Sequence, residues 1–250
     1  MDKKAEHLII LPETDSSNNY AIRLIRNNTA VHGTIVLALW QKEGKGQRGN
    51  RWISEPNINL LASIIIFPGF LAVAKQFYLS KITSLAILDF LKQETTGVSI
   101  KWPNDIYCGN KKICGILIEN MIQGDYLFAS VAGIGLNLNQ AEFSNELPNP
   151  VSLKLLTGKD YQVKDVLERI RQIFFKHYSR LEAGFYKEID DKYFAALYKR
   201  GEWCCFREEK RVFEAMIRGI GSYGQLITED SNGTVSEYMF GEIELINNCS

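Results

Sequence analysis

KWPNDIYCGNKKICGILIE, residues 101–119, sets a lysine, a large aromatic side chain and a carboxylate at the end of a strand, beside a proline that fixes the backbone. Val98 to Trp102 reads as that strand, stopped by Pro103. Ile106 to Cys108 and Lys112 to Glu119 read as a hairpin around Gly109-Asn110, with Tyr126 to Leu136 as a further partner. Taken singly, Asp105 is a turn cap and Lys101, Lys112 and Glu119 are exposed strand ends. Taken together, charges this dense beside an apolar strand are costly unless used, which marks the hairpin as a site.

Outward toward the N-terminus, His7 to Leu11 reads as a strand, and Thr14-Asp15-Ser16-Ser17 supplies cap chemistry for a helix bearing Tyr20, Ala21, Leu24 and Ile25 on one face. Thr34 to Trp40 and Asn59 to Phe67 are strands on either side of a polar, glycine-rich loop. Ala72 to Lys92 has the apolar spacing of a long core-facing helix. Outward toward the C-terminus, helical patterns cover Ser152 to Leu156, Val163 to Leu181 and Lys187 to Tyr198. From Gly201 the texture changes to short alternating runs, Glu202 to Phe206, Val212 to Arg218, Gln225 to Thr228 and Val235 to Phe240. Such runs predict a small β barrel of about five strands, dividing the chain into residues 1–200 and 201–250. Trp203, Cys204 and Cys205 are expected in the core of its first strand.

With 250 residues, 46% of them hydrophobic and 23% charged, the chain has the composition of an ordinary globular protein. Its formal net charge of zero gives no basis for whole-chain attraction to nucleic acid or an anionic membrane. The basic start is followed by too short an apolar stretch for a secretory signal, and Leu60 to Phe67 is too short for a membrane span. The five cysteines, Cys108, Cys114, Cys204, Cys205 and Cys249, show no CxxC spacing, so buried thiols in a reducing cytoplasm are expected, with neither zinc site nor disulfide framework.

The loop from Gln41 to Trp52 holds Lys42, Lys45, Arg48 and Arg51 against the single acid Glu43, with Gly44, Gly46 and Gly49 allowing close backbone approach to an anion. These glycines also satisfy GxGxxG spacing. A dinucleotide fingerprint should open a helix and be followed by an acid about twenty residues on; Trp52, Pro56 and a strand follow instead. The kinase HRD and DFG segments and the Walker spacing are absent. On composition alone the loop could equally be a solvated basic hairpin, and it is the KWPND hairpin that weighs against this.

Five segments, in order along nearly the whole chain, resemble the biotin protein ligase family. They are the helix start Asp15-Ser16-Ser17-Asn18-Asn19-Tyr20, the basic glycine-rich loop ending in Trp52, KWPND at Lys101 to Asp105, the KxxGILxE pattern from Lys112 to Glu119, and Gly133-Ile-Gly-Leu-Asn-Leu-Asn139. The resemblance implies an α+β fold, a class II synthetase-like mixed-sheet catalytic domain with a small C-terminal SH3-like β barrel. It implies two substrates, biotin and ATP, joined as biotinyl-5′-adenylate with Mg2+ present. The acceptor would be a lysine on the biotin carboxyl carrier domain of a biotin-dependent carboxylase. Homodimers occur in the family.

Residue by residue, the resemblance assigns Lys112, Asp105, Lys45 and Arg48 to catalysis, with Asp105 also a magnesium ligand. Ser16, Ser17, Asn18, Gln41, Lys45, Gly46, Gln47, Lys112 and Gly115 would meet biotin. Arg48, Trp52, Lys101, Asn104, Asp105 and Asn137 would meet ATP or the adenylate. Trp52 would pack the ligand side of the loop, against the alternative of a plain core tryptophan. Where the family loop commonly reads GRGRRGR, this chain has Lys45 and Gln47, which weakens bidentate phosphate contacts there; Ser17 replaces the usual threonine.

A lipoate ligase would adenylate a similar carboxylate on a related fold, but its arginine-rich, GGG-containing loop is missing. A non-catalytic biotin-binding module is set against the intact Lys112 and Asp105. DNA-binding repressors of the family carry a helix-turn-helix domain ahead of the catalytic core; only about six residues precede the first strand here, so DNA is not an expected partner.

Overall fold

The computed structural model describes residues 8–246; the predicted positions His7 and Cys249 lie outside them. The chain runs through β1 (Leu8–Leu11), α1 (Ser17–Arg26), β2 (Ile35–Ala38), β3 (Leu60–Ile66), α2 (Phe77–Leu91), β4 (Val98–Lys101), β5 (Asp105–Cys108), β6 (Lys111–Gln123) and β7 (Tyr126–Leu136). Three helices follow, α3 (Leu153–Thr157), α4 (Val163–Glu182) and α5 (Tyr186–Ala195). Five strands close the described chain: β8 (Trp203–Glu208), β9 (Arg211–Ile220), β10 (Leu226–Asp230), β11 (Val235–Tyr238) and β12 (Glu244–Ile246).

The first seven strands form one mixed sheet in the order β1-β2-β3-β7-β6-β5-β4. β1 and β2 are parallel and the remaining pairs antiparallel. β2 and β3 are buried along their whole length, as strands covered on both faces must be. α1 covers one face, closing a small core of Ala21, Ile25, Val36, Ile65, Ala129 and Val131. α2 covers the other and is itself overlaid by α4 and α5. That double burial explains why almost every residue of α2 is apolar or inaccessible, with no polar face. The buried Lys81 ammonium is offset by Asp190 of α5 at 2.7 Å.

β8 to β12 form a separate antiparallel sheet in the order β11-β10-β9-β8-β12, the small SH3-like unit of an α+β protein. Its inner residues Phe206, Ala215, Ile217, Leu226, Tyr238 and Ile243 join the same hydrophobic core as the main sheet. Trp102 Nε1 donates to the Gly224 carbonyl at 2.8 Å, and Phe240 lies against the rings of Trp102 and Phe77. Among the described residues, no helix is long and apolar enough to cross a membrane.

Three local expectations are corrected. Trp203 is 49% exposed, because strand alternation that buries Cys204 turns its neighbour outward. Cys108, Cys114 and Cys204 are free thiols, but Cys205 is disulfide-bonded, a pairing that local cysteine spacing has no means of announcing. Ser16 does occupy the N-cap of α1, yet its side chain makes no capping bond. The Ser17 N–H instead donates to Gln41 Oε1 at 2.6 Å, so the glycine-rich loop caps this helix from 24 residues away.

Candidate active site

Gly115 of β6 and Gly135 of β7 are register partners, and the Trp52 ring lies over both. A Cβ at Gly115 would fall 2.9 Å from that ring and one at Gly135 2.6 Å from it, so only glycine leaves the ring its place. Trp52 is thus bound to the cavity floor and is not a residue of the hydrophobic core.

Beside this floor Lys112 Nζ stands 2.7 Å from Asp105 Oδ1. The β5–β6 register, pairing Asp105 with Gly115, brings them together across the hairpin that both residues belong to. Asn104 Nδ2 donates to the Ile116 carbonyl at 2.7 Å, which locks the turn entering β5 to the strand carrying Gly115. The Trp102–Pro103 bond in this turn is cis. Lys101 points at Tyr107, whose hydroxyl lies 3.2 Å from its ammonium. Burial lowers the Lys101 pKa, opposed by the charges of Asp105 and Glu244.

The glycine-rich loop folds as a small irregular hairpin over the floor. Gly46 N–H donates to the Asn50 carbonyl at 2.7 Å, and Trp52 N–H to the Gly44 carbonyl at 2.8 Å. Lys45 Nζ donates to Asn19 Oδ1 at 2.6 Å, tying the loop to α1. Arg48 adopts φ 56°, the left-handed region, and its guanidinium donates to the Phe240 carbonyl of the C-terminal sheet. The middle of the loop is therefore anchored twice, on α1 and on a segment 192 residues distant.

The cavity, open to solvent on one side, measures about 310 Å³, the lower end of the range for small-molecule sites. Of the sequence-derived residues, Ser16, Ser17, Asn18, Gln41, Lys45, Gly46, Gln47, Arg48, Trp52, Lys101, Asn104, Asp105, Lys112 and Gly115 line it. Asn137 does not. It is buried at the end of β7, where its amide donates to the Val151 carbonyl at 3.1 Å and orders the chain leading into α3.

Several wall residues were given no site role by the sequence reading: Asn50 and Arg51 of the loop, of which Arg51 was counted only among its cations, Trp102, and Phe240 and Glu244 of the C-terminal unit. Trp102 was legible as part of KWPND but not as an anchor for the second sheet. Phe240 and Glu244 carry no motif that could have found them. Behind the wall, Ser63 also went unread; it is fully buried, with its Oγ 2.7 Å from Ser17 Oγ and 2.6 Å from Asn18 Oδ1.

The chemistry of this chamber is that of anions. Lys45, Arg48, Arg51, Lys101 and Lys112 face a single cavity, whose carboxylates are Asp105 and Glu244. Cys114 lies fully buried near the floor, where burial pushes its thiol pKa up and keeps it from serving as a thiolate nucleophile. Among the described residues, no cluster of three metal-ligating side chains exists. The donor set fits magnesium only as a passenger on substrate phosphates, with Asp105 able to contribute one carboxylate.

The model of the Biotin/lipoate A/B protein ligase family matches residues 11–137. A Bifunctional ligase/repressor BirA of Bacillus subtilis is 30% identical over 248 residues, covering 96% of this chain and 74% of its own. A Biotin–[acetyl-CoA-carboxylase] ligase of Paracoccus denitrificans is 29% identical over 245 residues, covering 93% and 100%. Among solved structures, the biotin protein ligase of Aquifex aeolicus in complex with biotin and ATP superposes with a TM-score of 0.79 at 27% identity, covering 96% of this chain and 99% of that one.

Proposed function

The chain belongs to the biotin/lipoate A/B protein ligase family, and from that premise we propose that it is an ATP-dependent biotin protein ligase. It joins biotin and ATP as biotinyl-5′-adenylate and passes the biotinyl group to a lysine of a biotin carboxyl carrier domain. The observation that carries this reading is the Lys112–Asp105 pair on a glycine floor beneath a basic loop.

A carboxylate is a poor nucleophile toward a polyphosphate because the two repel. In this reading Lys112 holds both anions at once, its positive charge lowering that repulsion. A biotin carboxylate oxygen then bonds to the α-phosphorus as the bond to pyrophosphate breaks. Lys45, Arg48 and Lys101 balance the charge of the phosphates; magnesium carried by ATP would add to that screening, with Asp105 able to supply one carboxylate. In the second step the carrier amine attacks the acyl carbonyl, a C–N bond forms, AMP departs and the amine proton passes to Asp105.

Trp52 and the anchored loop keep water from the mixed anhydride between the two steps. The Aquifex aeolicus ligase structure, which holds biotin and ATP, supports the same pair of substrates. In this reading residues 1–200 hold both substrates, and residues 201–250 supply one wall and the carbonyl that anchors Arg48.

The test is to mix the protein with ATP, magnesium, a biotin carrier domain and either biotin or lipoate, then weigh the carrier. The mass of one biotinyl group is expected with biotin alone. Addition of a lipoyl group instead would move the protein to the other branch of its family, and no addition with either would remove the ligase reading.

A further inference from the structure

Glu119 and Ser63 do not line the cavity, yet both are tied to the residues at its inner end. Register places Ser63 of β3, Gly133 of β7 and Leu117 of β6 side by side across three strands. Asn18 lies over Gly133, where a Cβ would come within 2.3 Å of its amide oxygen. Asn18 Nδ2 donates to Glu119 Oε2 at 2.7 Å and to the Leu117 carbonyl at 3.3 Å.

The direction of each proton follows from what these groups can do. A carboxylate and a carbonyl only accept, so the nitrogen of the Asn18 amide must face them and its oxygen must face Ser63. Ser63 Oγ is 2.6 Å from that oxygen, which also only accepts, so the single Ser63 proton is spent there. The 2.7 Å contact between Ser63 and Ser17 must then be made with the proton of Ser17. Ser17 consequently turns lone pairs, and no proton, toward the cavity that it lines. Beside it, Gln41 spends Oε1 on the Ser17 N–H, which leaves its Nε2 as a donor.

We infer that Glu119 and Ser63 are positioning residues that fix the hydrogen-bond polarity of the inner end of the cavity. One acceptor (Ser17 Oγ) and one adjacent donor (Gln41 Nε2) thereby select a ligand ring presenting an N–H beside a C=O. The inference rests on the biotin reading above and deepens it. A cyclic urea has that donor and acceptor side by side, whereas a dithiolane ring has neither and would leave both protein groups unpaired. A site built to hydrogen-bond its ligand rejects an analogue lacking the partner far more strongly than an apolar pocket does.

The experiment compares the full chain with Ser63→Ala in steady-state adenylation, using biotin and the two analogues in which one urea N–H is replaced by oxygen. In the parent, at least one carbamate is expected to raise KM by about tenfold or more over biotin. In Ser63→Ala the KM for biotin should rise by about tenfold, the carbamate penalty should shrink to about twofold, and the KM for ATP should stay put. A merely structural role for Ser63 would alter both KM values and leave the carbamate penalty intact, and that result overturns the inference. If Ser63→Ala does not fold, as judged by its melting curve, Glu119→Met carries the same test at a half-buried position. A parent that adenylates lipoate and not biotin overturns the functional reading itself, and this inference with it.

Discussion

Lys112 Nζ and Asp105 Oδ1 meet at 2.7 Å across the β5–β6 hairpin, and that carboxylate oxygen is buried with no aligned hydrogen bond among the described residues. Such an ion pair is poorly satisfied as a structural element, since a buried carboxylate normally fills its lone pairs with aligned donors. It is well suited to exchange partners when a second anion enters.

For Lys112→Ala, the expected loss of adenylation is about a thousandfold in kcat/KM, the scale on which a preorganised charge at a reacting centre acts. ATP–pyrophosphate exchange dependent on biotin measures this step without the carrier. Exchange retained at half the parental rate would take Lys112 out of the reaction. Asp105→Asn should retain more exchange than Lys112→Ala while slowing carrier labelling from preformed adenylate.

The loop predicts its own leak. Lys45→Ala removes the bond to Asn19, and Arg48→Ala removes the anchor on the Phe240 carbonyl. Either variant should release free adenylate about tenfold faster, for the loss of one charged hydrogen bond each. Filter-binding retention of labelled adenylate measures it, and retention equal to the parent in both variants would show that the loop does not hold the intermediate.

Gly135→Ala places a methyl group 2.6 Å from the Trp52 ring over a rigid strand backbone. The ring must move, at a cost of about 1–3 kcal/mol, the range of overpacked sites. A higher KM for both substrates with a smaller change in melting temperature is expected, because the displaced ring enters the cavity. Parental KM values in this variant would place the ring outside the ligand's path.

Stability should fall on the acid side through His32. Its Nδ1 accepts the Phe67 N–H at 3.2 Å, and burial lowers its pKa below the ordinary 6.5 despite the charge of Glu182. The unfolded chain therefore binds this proton first, so the His32 contribution is fully present above about pH 6.5 and is lost as pH falls toward the lower folded-state value. His32→Asn keeps an acceptor near the same place and should flatten the melting temperature over about pH 5–7. An unchanged slope would assign the acid sensitivity to other groups.

Much of the architecture was legible along the chain because it is written locally. Tyr126–Leu136, read as the partner of the hairpin, is β7 at its full length, and β6 was found but extends four residues beyond Glu119, to Gln123. The long helix predicted from Ala72 narrowed to Phe77–Leu91, preceded by a short 3-10 turn at Val73–Lys75. Trp203 was misplaced because hydrophobicity reports affinity for a core without saying which side of a strand faces it. Asn137, read as bordering the nucleotide, is spent on the chain's own Val151 carbonyl.

By itself the sequence determined which chemical groups the protein would bring to an anion: the cations of the Gln41–Trp52 loop, and Lys112 and Asp105 on one hairpin. Charge density, glycine spacing and a short hairpin are properties of neighbouring residues. The tertiary structure alone decided that Gln41 caps α1, that Arg48 meets Phe240, and that Ser63 and Glu119 orient Asn18. Those partners lie 24, 192, 45 and 101 residues apart. Strand order and register set such distances, and the free energy that fixes them comes from burying the whole sheet, a sum over the chain that no local stretch contains.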